Sequence, residues 1–168
     1  MANYEIDPTL LADRVPGGTE LDFHEGRCFV SLVGFMFLNT RVLAFSIPLH
    51  KNFEEVNLRF YVKCESGGEV RRGVCFIKEI VPRFAIATVA RFFYGEPYRS
   101  CVMSNKRSEA RAEYGWIEDR IAHRIAVELG ANCGVPAAAS HGEFVIEHYW
   151  GYTRRRAVRT DEYKVEHP

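Results

Sequence analysis

The sequence has no charge excess: 22 basic residues balance 22 acidic ones. That removes the bulk electrostatic argument for a nucleic-acid partner or an anionic membrane surface. It has no long apolar run. Cys28 to Leu38, its most apolar stretch, is eleven residues, whereas a membrane-spanning helix needs about twenty. The first twenty-five residues lack the apolar centre of a signal peptide, because Asp7, Asp13, Arg14, Glu20 and Asp22 interrupt them. There is no C-x-x-C pair. Cys28, Cys64, Cys75, Cys101 and Cys133 are odd in number and scattered, which fits free thiols and predicts a cytoplasmic protein. The histidines form no H-x-H or H-x-x-x-H pair, so spacing predicts no metal site. No glycine-rich phosphate loop or nucleophile elbow occurs, and no cofactor is expected. Lysine is scarce, with five against seventeen arginines.

What is present is ordinary globular material. The chain has 168 residues, 47% of them hydrophobic. That is enough to bury a core without disulfides and predicts a single domain over residues 1–168. A homo-oligomer stays open.

Period-two patterns dominate. Arg27 to Leu38 reads as a central strand and Val42 to Ile47 as its neighbour. From Phe53 to Lys63, Val56, Leu58, Phe60 and Val62 fall on one face. Glu55, Asn57, Arg59, Tyr61 and Lys63 fall on the other. Gly67-Gly68 marks a hairpin, and Gly73 to Ile80 is the return strand. From Pro82 the period changes. Ile86, Val89, Ala90, Phe93 and Tyr94 share a helix face that Gly95 and Pro97 terminate. Tyr98 to Met103, Ala110 to Ile117 and Arg120 to Leu129 read as strands, with a turn at Glu118-Asp119. Ser140 and Glu143 have capping-box spacing, predicting a second helix from about His141 to Trp150, ended by Gly151. Ala157 to His167 reads as strand with a turn near Thr160-Asp161. The class is mainly β (β-rich α+β) with two short helices, and a closed or nearly closed barrel would remove the sheet edges.

Two constellations carry chemistry. The Glu55/Asn57/Arg59 stripe is either a solvated strand face, which alternation alone favours, or an interior lined to hold a small polar ligand. The segment Ala90 to Arg99 is either a plain helix terminator or a corner that projects Tyr98 and Arg99 at a fixed spot. Arg154, Arg155, Arg156 and Arg159 read as a solvated or salt-bridged face.

The runs NYEIDPTLL, PLHKNFEEVNLRFYV, GVCFIKEIVP, YGEPY and EFVIEHYWGYT span nearly the whole chain. They resemble the uncharacterised bacterial family DUF2071 (YqjF-like). Its members begin somewhat earlier and continue further, so a truncated C-terminus is expected. That family is similar to acetoacetate decarboxylase, and the resemblance implies a cone-shaped β-barrel with a ligand cavity. Glu55-Val56 matches the decarboxylases' Glu-Val strand. Ala90 to Arg99 matches their helix end, retaining Arg91, Gly95 and Pro97. The reactive lysine falls on Tyr98 and its cationic neighbour on Arg99. A Schiff base needs an unprotonated primary amine. Tyrosine has none, and guanidinium stays protonated.

The resulting expectation is a small-molecule-binding β-barrel without that lysine. Arg59 and Arg99 would hold a carboxylate or other oxyanion, with Asn57 and Arg91 as further ligand-binding residues. Glu55 would act as acceptor or acid/base group and Tyr98 as a capping hydroxyl. Two alternatives stay open: an enzyme running enolisation, hydration or lactone-type chemistry on a small keto or hydroxy acid, and an interaction module with no ligand. Lys63 and Lys78 are the amines that could replace the missing one from another wall.

Overall fold

Strand alternation is realised through most of the chain. The computed structural model describes residues 1–38, 52–82, 97–130, 134–156 and 159–164. The predicted strand Val42–Ile47 lies outside these residues. So does the predicted helix after Pro82, with Arg91 on it. The described strands are β1 Ala2–Glu5, β2 Glu20–Leu21, β3 Phe29–Phe37, β4 Phe53–Ser66, β5 Glu69–Val81, β6 Tyr98–Ser100, β7 Val102–Arg107, β8 Arg111–Glu118, β9 Ile121–Glu128, β10 Trp150–Arg156 and β11 Arg159–Lys164. A 3-10 helix spans Pro8–Arg14 and a short α-helix spans His141–Ile146. No described helix is long and apolar enough to cross a membrane.

One sheet has the order β1-β3-β4-β5-β10-β11, with β2 on β4 and β6 on β5; β7-β8-β9 form a second sheet. Among the described residues the first sheet does not return on itself, so the expectation of a closed barrel is corrected to an open sheet. Part of the strand material turns away at Cys101. The predicted strand Tyr98–Met103 breaks there into β6, which pairs with β5, and β7, which pairs with β8. Three strands thereby leave the main ladder. The mainly β class stands.

The β4–β5 hairpin turns on Gly67 and Gly68, at φ 62° and 83°, the left-handed pair that glycine adopts freely. The predicted Glu118-Asp119 turn sits one residue later, on Asp119 and Arg120 at φ 50° and 68°. Ser140 caps the α-helix as expected, its Oγ accepting from the Glu143 N–H at 3.2 Å. Glu143 reaches back to the N–H of Ala139. The helix stops at Ile146, however, and Trp150 and Gly151 open β10. Gly151 is not a helix terminator; a Cβ there would run into the Tyr163 ring on β11, so it is a close-packing position. Thr160 and Asp161 pair with Arg154 and Thr153 inside the β10–β11 ladder; residues 157 and 158, beside the expected turn, lie outside the described residues.

The chain divides into two compact units, each made of three segments. One holds Met1, Leu32–Asn57 and Lys78–Asn132; the other holds Ala2–Ser31, Leu58–Ile77 and Cys133–Pro168. Strands β3, β4 and β5 run from one into the other. In the second unit Phe60 and Val62 pack with Leu11, Cys28, Val30, Cys75 and Tyr152. Tyr61 packs with Phe29, Val74, Phe144 and Val145. Successive β4 residues thus bury on opposite faces, one under the 3-10 helix and one under the α-helix. In the first unit Phe53 and Val81 are buried with Phe37 and Tyr98 against them.

The β5–β10 junction depends on one glycine. A Cβ on Gly73 would lie 2.6 Å from the Trp150 carbonyl oxygen and 2.6 Å from the Tyr152 ring. Backbone oxygen cannot rotate away as a side chain does. Gly73→Ala is expected to cost about 1–3 kcal/mol through overpacking. The reading is a lower urea midpoint with unchanged slope; an unshifted midpoint would contradict the close approach.

Candidate functional site

The stripe that alternation would leave in water is buried at its start. Glu55 is 1% and Asn57 3% exposed. Asn57 Nδ2 donates to Glu55 Oε1 at 3.0 Å. The Tyr98 hydroxyl donates to Glu55 Oε2 at 3.2 Å. Tyr98 reaches this carboxylate because β6 lies parallel to β5, placing it opposite Glu79. Glu79, 2% exposed, is a second carboxylate acting on the same hydroxyl. The Tyr98 ring rests among Phe53, Val81 and Phe37. Burial first, then the charges of Glu55 and Glu79, push the Tyr98 hydroxyl far above its ordinary value. It is a neutral hydrogen-bond donor and not a base. Asn57 Oδ1 is buried without a hydrogen-bond partner among the described residues.

Arg99 does not join this group. It follows Tyr98 on a strand, so its side chain takes the opposite face. Its Nη1 donates to Glu118 Oε1 at 2.9 Å. Lys78, likewise one residue from Glu79, donates to both Glu118 oxygens at 3.0 Å. The Lys78 hydrogen bond chiefly, with the Lys78 and Arg99 charges, holds the Glu118 carboxyl below the usual range. Lys63 belongs to the second unit and pairs with Glu20 at 3.1 Å. Lys78 is turned to the face opposite Glu79 and Tyr98.

Arg59 also belongs to the second unit. Its guanidinium lies 5.8 Å from the Tyr61 ring centroid, and its Nε is buried without a hydrogen-bond partner among the described residues. Arg91 lies outside the described residues. Sequence reasoning missed Glu79. The signal was available in the return strand Gly73–Ile80, where Lys78 and Glu79 must face opposite ways. Only the parallel β5–β6 pairing shows that Glu79 and Tyr98 share a face.

Among the described residues no group of three or more His, Cys, Asp or Glu side chains could hold a metal ion. The second unit carries one further buried polar cluster. His148 Nδ1 lies 2.7 Å from the Phe144 carbonyl oxygen and Nε2 lies 3.1 Å from Asp22 Oδ2. Arg72 Nε meets the same Asp22 oxygen at 2.9 Å.

Comparison with known proteins places this geometry in context. The DUF2071 family model, described as an uncharacterized conserved protein, matches residues 1–168. The uncharacterized protein YqjF of Bacillus subtilis (strain 168) is 28% identical over 114 residues, covering 67% of this chain and 46% of YqjF. The crystal structure of acetoacetate decarboxylase from Legionella pneumophila subsp. pneumophila str. Philadelphia 1 is similar at TM-score 0.57 and 18% identity, covering 89% of this chain and 53% of that one. The enduracididine biosynthesis enzyme MppR, complexed with the condensation product of pyruvate and imidazole 4-carboxaldehyde, is similar at TM-score 0.59 and 14% identity, covering 81% and 55%. MppR complexed with pyruvate gives TM-score 0.56 at 14% identity, covering 75% and 52%. The fold is acetoacetate-decarboxylase-like, and the chain spans about half the length of these relatives.

Proposed function

The chain belongs to the DUF2071 family of uncharacterised conserved proteins, and from that premise we propose that it binds a small polar molecule at Glu55, Asn57 and Tyr98 without Schiff-base chemistry. The observation that carries the reading is Asn57. Its amide nitrogen is spent on Glu55, while its Oδ1 is buried with no donor among the described residues. A buried acceptor left unsatisfied costs about 1–3 kcal/mol. A ligand hydroxyl or amino group would satisfy it. Small hydroxy and keto acids are the class to test, since MppR has been solved with pyruvate.

Tyr98 supports the second half of the proposal. The sequence resemblance sets it where the decarboxylases carry their reactive lysine, and its neutral hydroxyl can donate but cannot form an imine. Arg99 is left out of the oxyanion role, because its guanidinium is engaged with Glu118.

Acid–base catalysis is the second reading, favoured by the Tyr98–Glu55 hydrogen bond. Glu55 would move the proton and Tyr98 would steady a developing oxyanion.

Borohydride treatment with acetoacetate is expected to leave every lysine unmodified by mass spectrometry. A lysine adduct would overturn the Schiff-base-free reading. In calorimetric titration with a hydroxy- and keto-acid panel, Asn57→Leu is expected to weaken binding about tenfold, the loss of one buried hydrogen bond. Equal affinity in wild type and Asn57→Leu would overturn the site. Turnover abolished in Glu55→Gln, with binding retained, would favour the enzyme.

A further inference from the structure

The first unit contains a half-open cavity of about 370 Å³ that the polar site does not use. Gly34 and Met36 of β3 form one wall, and Tyr114, Ile125 and Val127 of β8 and β9 form the facing one. The volume falls in the range of small-molecule sites, about 300–1,000 Å³.

The origin of this wall is the β7–β9 register. Asn105, Tyr114 and Ile125 form one cross-strand row, and Arg107, Ala112 and Val127 form the next on the same face. At the other end of that face Trp116 stacks on His123 with ring centroids 5.2 Å apart. Gly34 lets the Tyr114 ring approach β3; a Cβ there would lie 2.6 Å from the ring.

The lining is mixed, with Met1, Arg107, Ser108 and Tyr114 beside the apolar side chains, and two of these residues offer free hydrogen-bond donors. Tyr114 is 7% exposed, and its hydroxyl has no hydrogen-bond partner among the described residues. Burial pushes that hydroxyl upward, so it keeps its proton. Arg107 sits on the diagonal from Tyr114 across the β7–β8 ladder, within electrostatic reach of the hydroxyl. It has no ion-pair partner among the described residues. Glu54 also acts on the hydroxyl but does not line the cavity. Ser108 is spent on the backbone of Arg111.

We propose that this cavity binds an amphipathic carboxylate of medium-chain alkanoate type, its chain between β3 and the β8–β9 wall and its carboxylate on Arg107 and the Tyr114 hydroxyl. A guanidinium and a neutral phenol are both donors, so they suit a carboxylate and not an ammonium. The apolar part of the lining, from Met36, Ile125 and Val127, suits a hydrocarbon chain.

The test titrates the full chain with hexanoate, octanoate and decanoate, and with octan-1-ol, by calorimetry. Affinity is expected to rise about fourfold per methylene, the value of burying one CH₂. Octanoate is expected to bind about tenfold or more tighter than octan-1-ol, as a charge-assisted hydrogen bond requires. Arg107→Gln and Tyr114→Phe should each erase most of that preference while keeping the chain-length dependence. Arg124→Gln, which removes the same charge from the opposite face of β9, should leave octanoate binding unchanged. Equal losses in Arg107→Gln and Arg124→Gln would overturn the carboxylate contact. No dependence on chain length would overturn the cavity as the site.

Discussion

Asp22→Ala is expected to destabilise the protein by about 3–5 kcal/mol, the cost of breaking a buried ion pair by removing one partner. The side chains of Asp22 and His148 are 4% and 0% exposed. Both His148 nitrogens face oxygens that only accept, a carbonyl and a carboxylate. Asp22 Oδ2 thus receives both the ring and the Arg72 guanidinium, at 3.1 and 2.9 Å. Without Asp22, that ring and Arg72 lose their common acceptor. A domain of this size holds about 5–15 kcal/mol in all, so the loss is a large share of it. His148→Ala should be destabilising too. The two losses should fall well short of additive in a double-mutant cycle, because they break one interaction.

Acidity should reveal the same pair. Burial alone would raise the Asp22 carboxyl, but the His148 hydrogen bond and the charges of Arg72, His148 and Lys63 together outweigh it. The folded value is therefore below the ordinary 3.8. A depressed folded value contributes stability above the unfolded value, and that stability is lost as pH falls through the folded one. Urea midpoints should thus fall less between pH 5 and pH 2.5 for Asp22→Asn than for wild type. Parallel acid limbs would show that the fold does not depress the Asp22 carboxyl. The charged groups beside the pair are Arg72, Lys63 with its partner Glu20, and Glu147, 3.9 Å from Arg72.

Phe60→Ala is the second large effect, at about 3–5 kcal/mol. Phe60 is 1% exposed, amid Leu11, Cys28, Val30, Val62, Cys75 and Tyr152. Its neighbours come from β3, β4, β5, β10 and the 3-10 helix, so no single element can move to fill the void. Leu58 is only partly buried at the edge of the same cluster, and Leu58→Ala should cost clearly less. Chemical denaturation of both variants checks this; equal losses would mean that the β4 face is buried evenly.

The two sites separate what was legible in the sequence from what was not. Alternation in Phe53–Lys63 is by itself enough to identify Phe60 as a core residue, because a strand turns each second residue to one side. The same alternation misleads about Glu55 and Asn57, since it shows which residues share a face but not whether that face meets water. Asp22 and His148 carry no local signal at all. They are 126 residues apart in the sequence, and only the packing of the α-helix on the sheet brings them together.

Family, mainly β class, the β4–β5 hairpin and the Ser140 cap are determined by the sequence itself, through long ordered runs, period-two patterning, Gly67-Gly68 and local capping chemistry. The opposite orientations of Tyr98 and Arg99 were also implicit there, because successive strand residues cannot share a side. Tertiary structure decided the rest. Among the described residues the sheet is open, and the break at Cys101 sends β6 and β7 to different partners. The burial of Glu55 and its convergence with Glu79 and Tyr98 follow from the parallel β5–β6 pairing. Non-local pairing is a choice among many registers with similar local cost, and it is settled only by which arrangement buries the most surface with its polar groups satisfied.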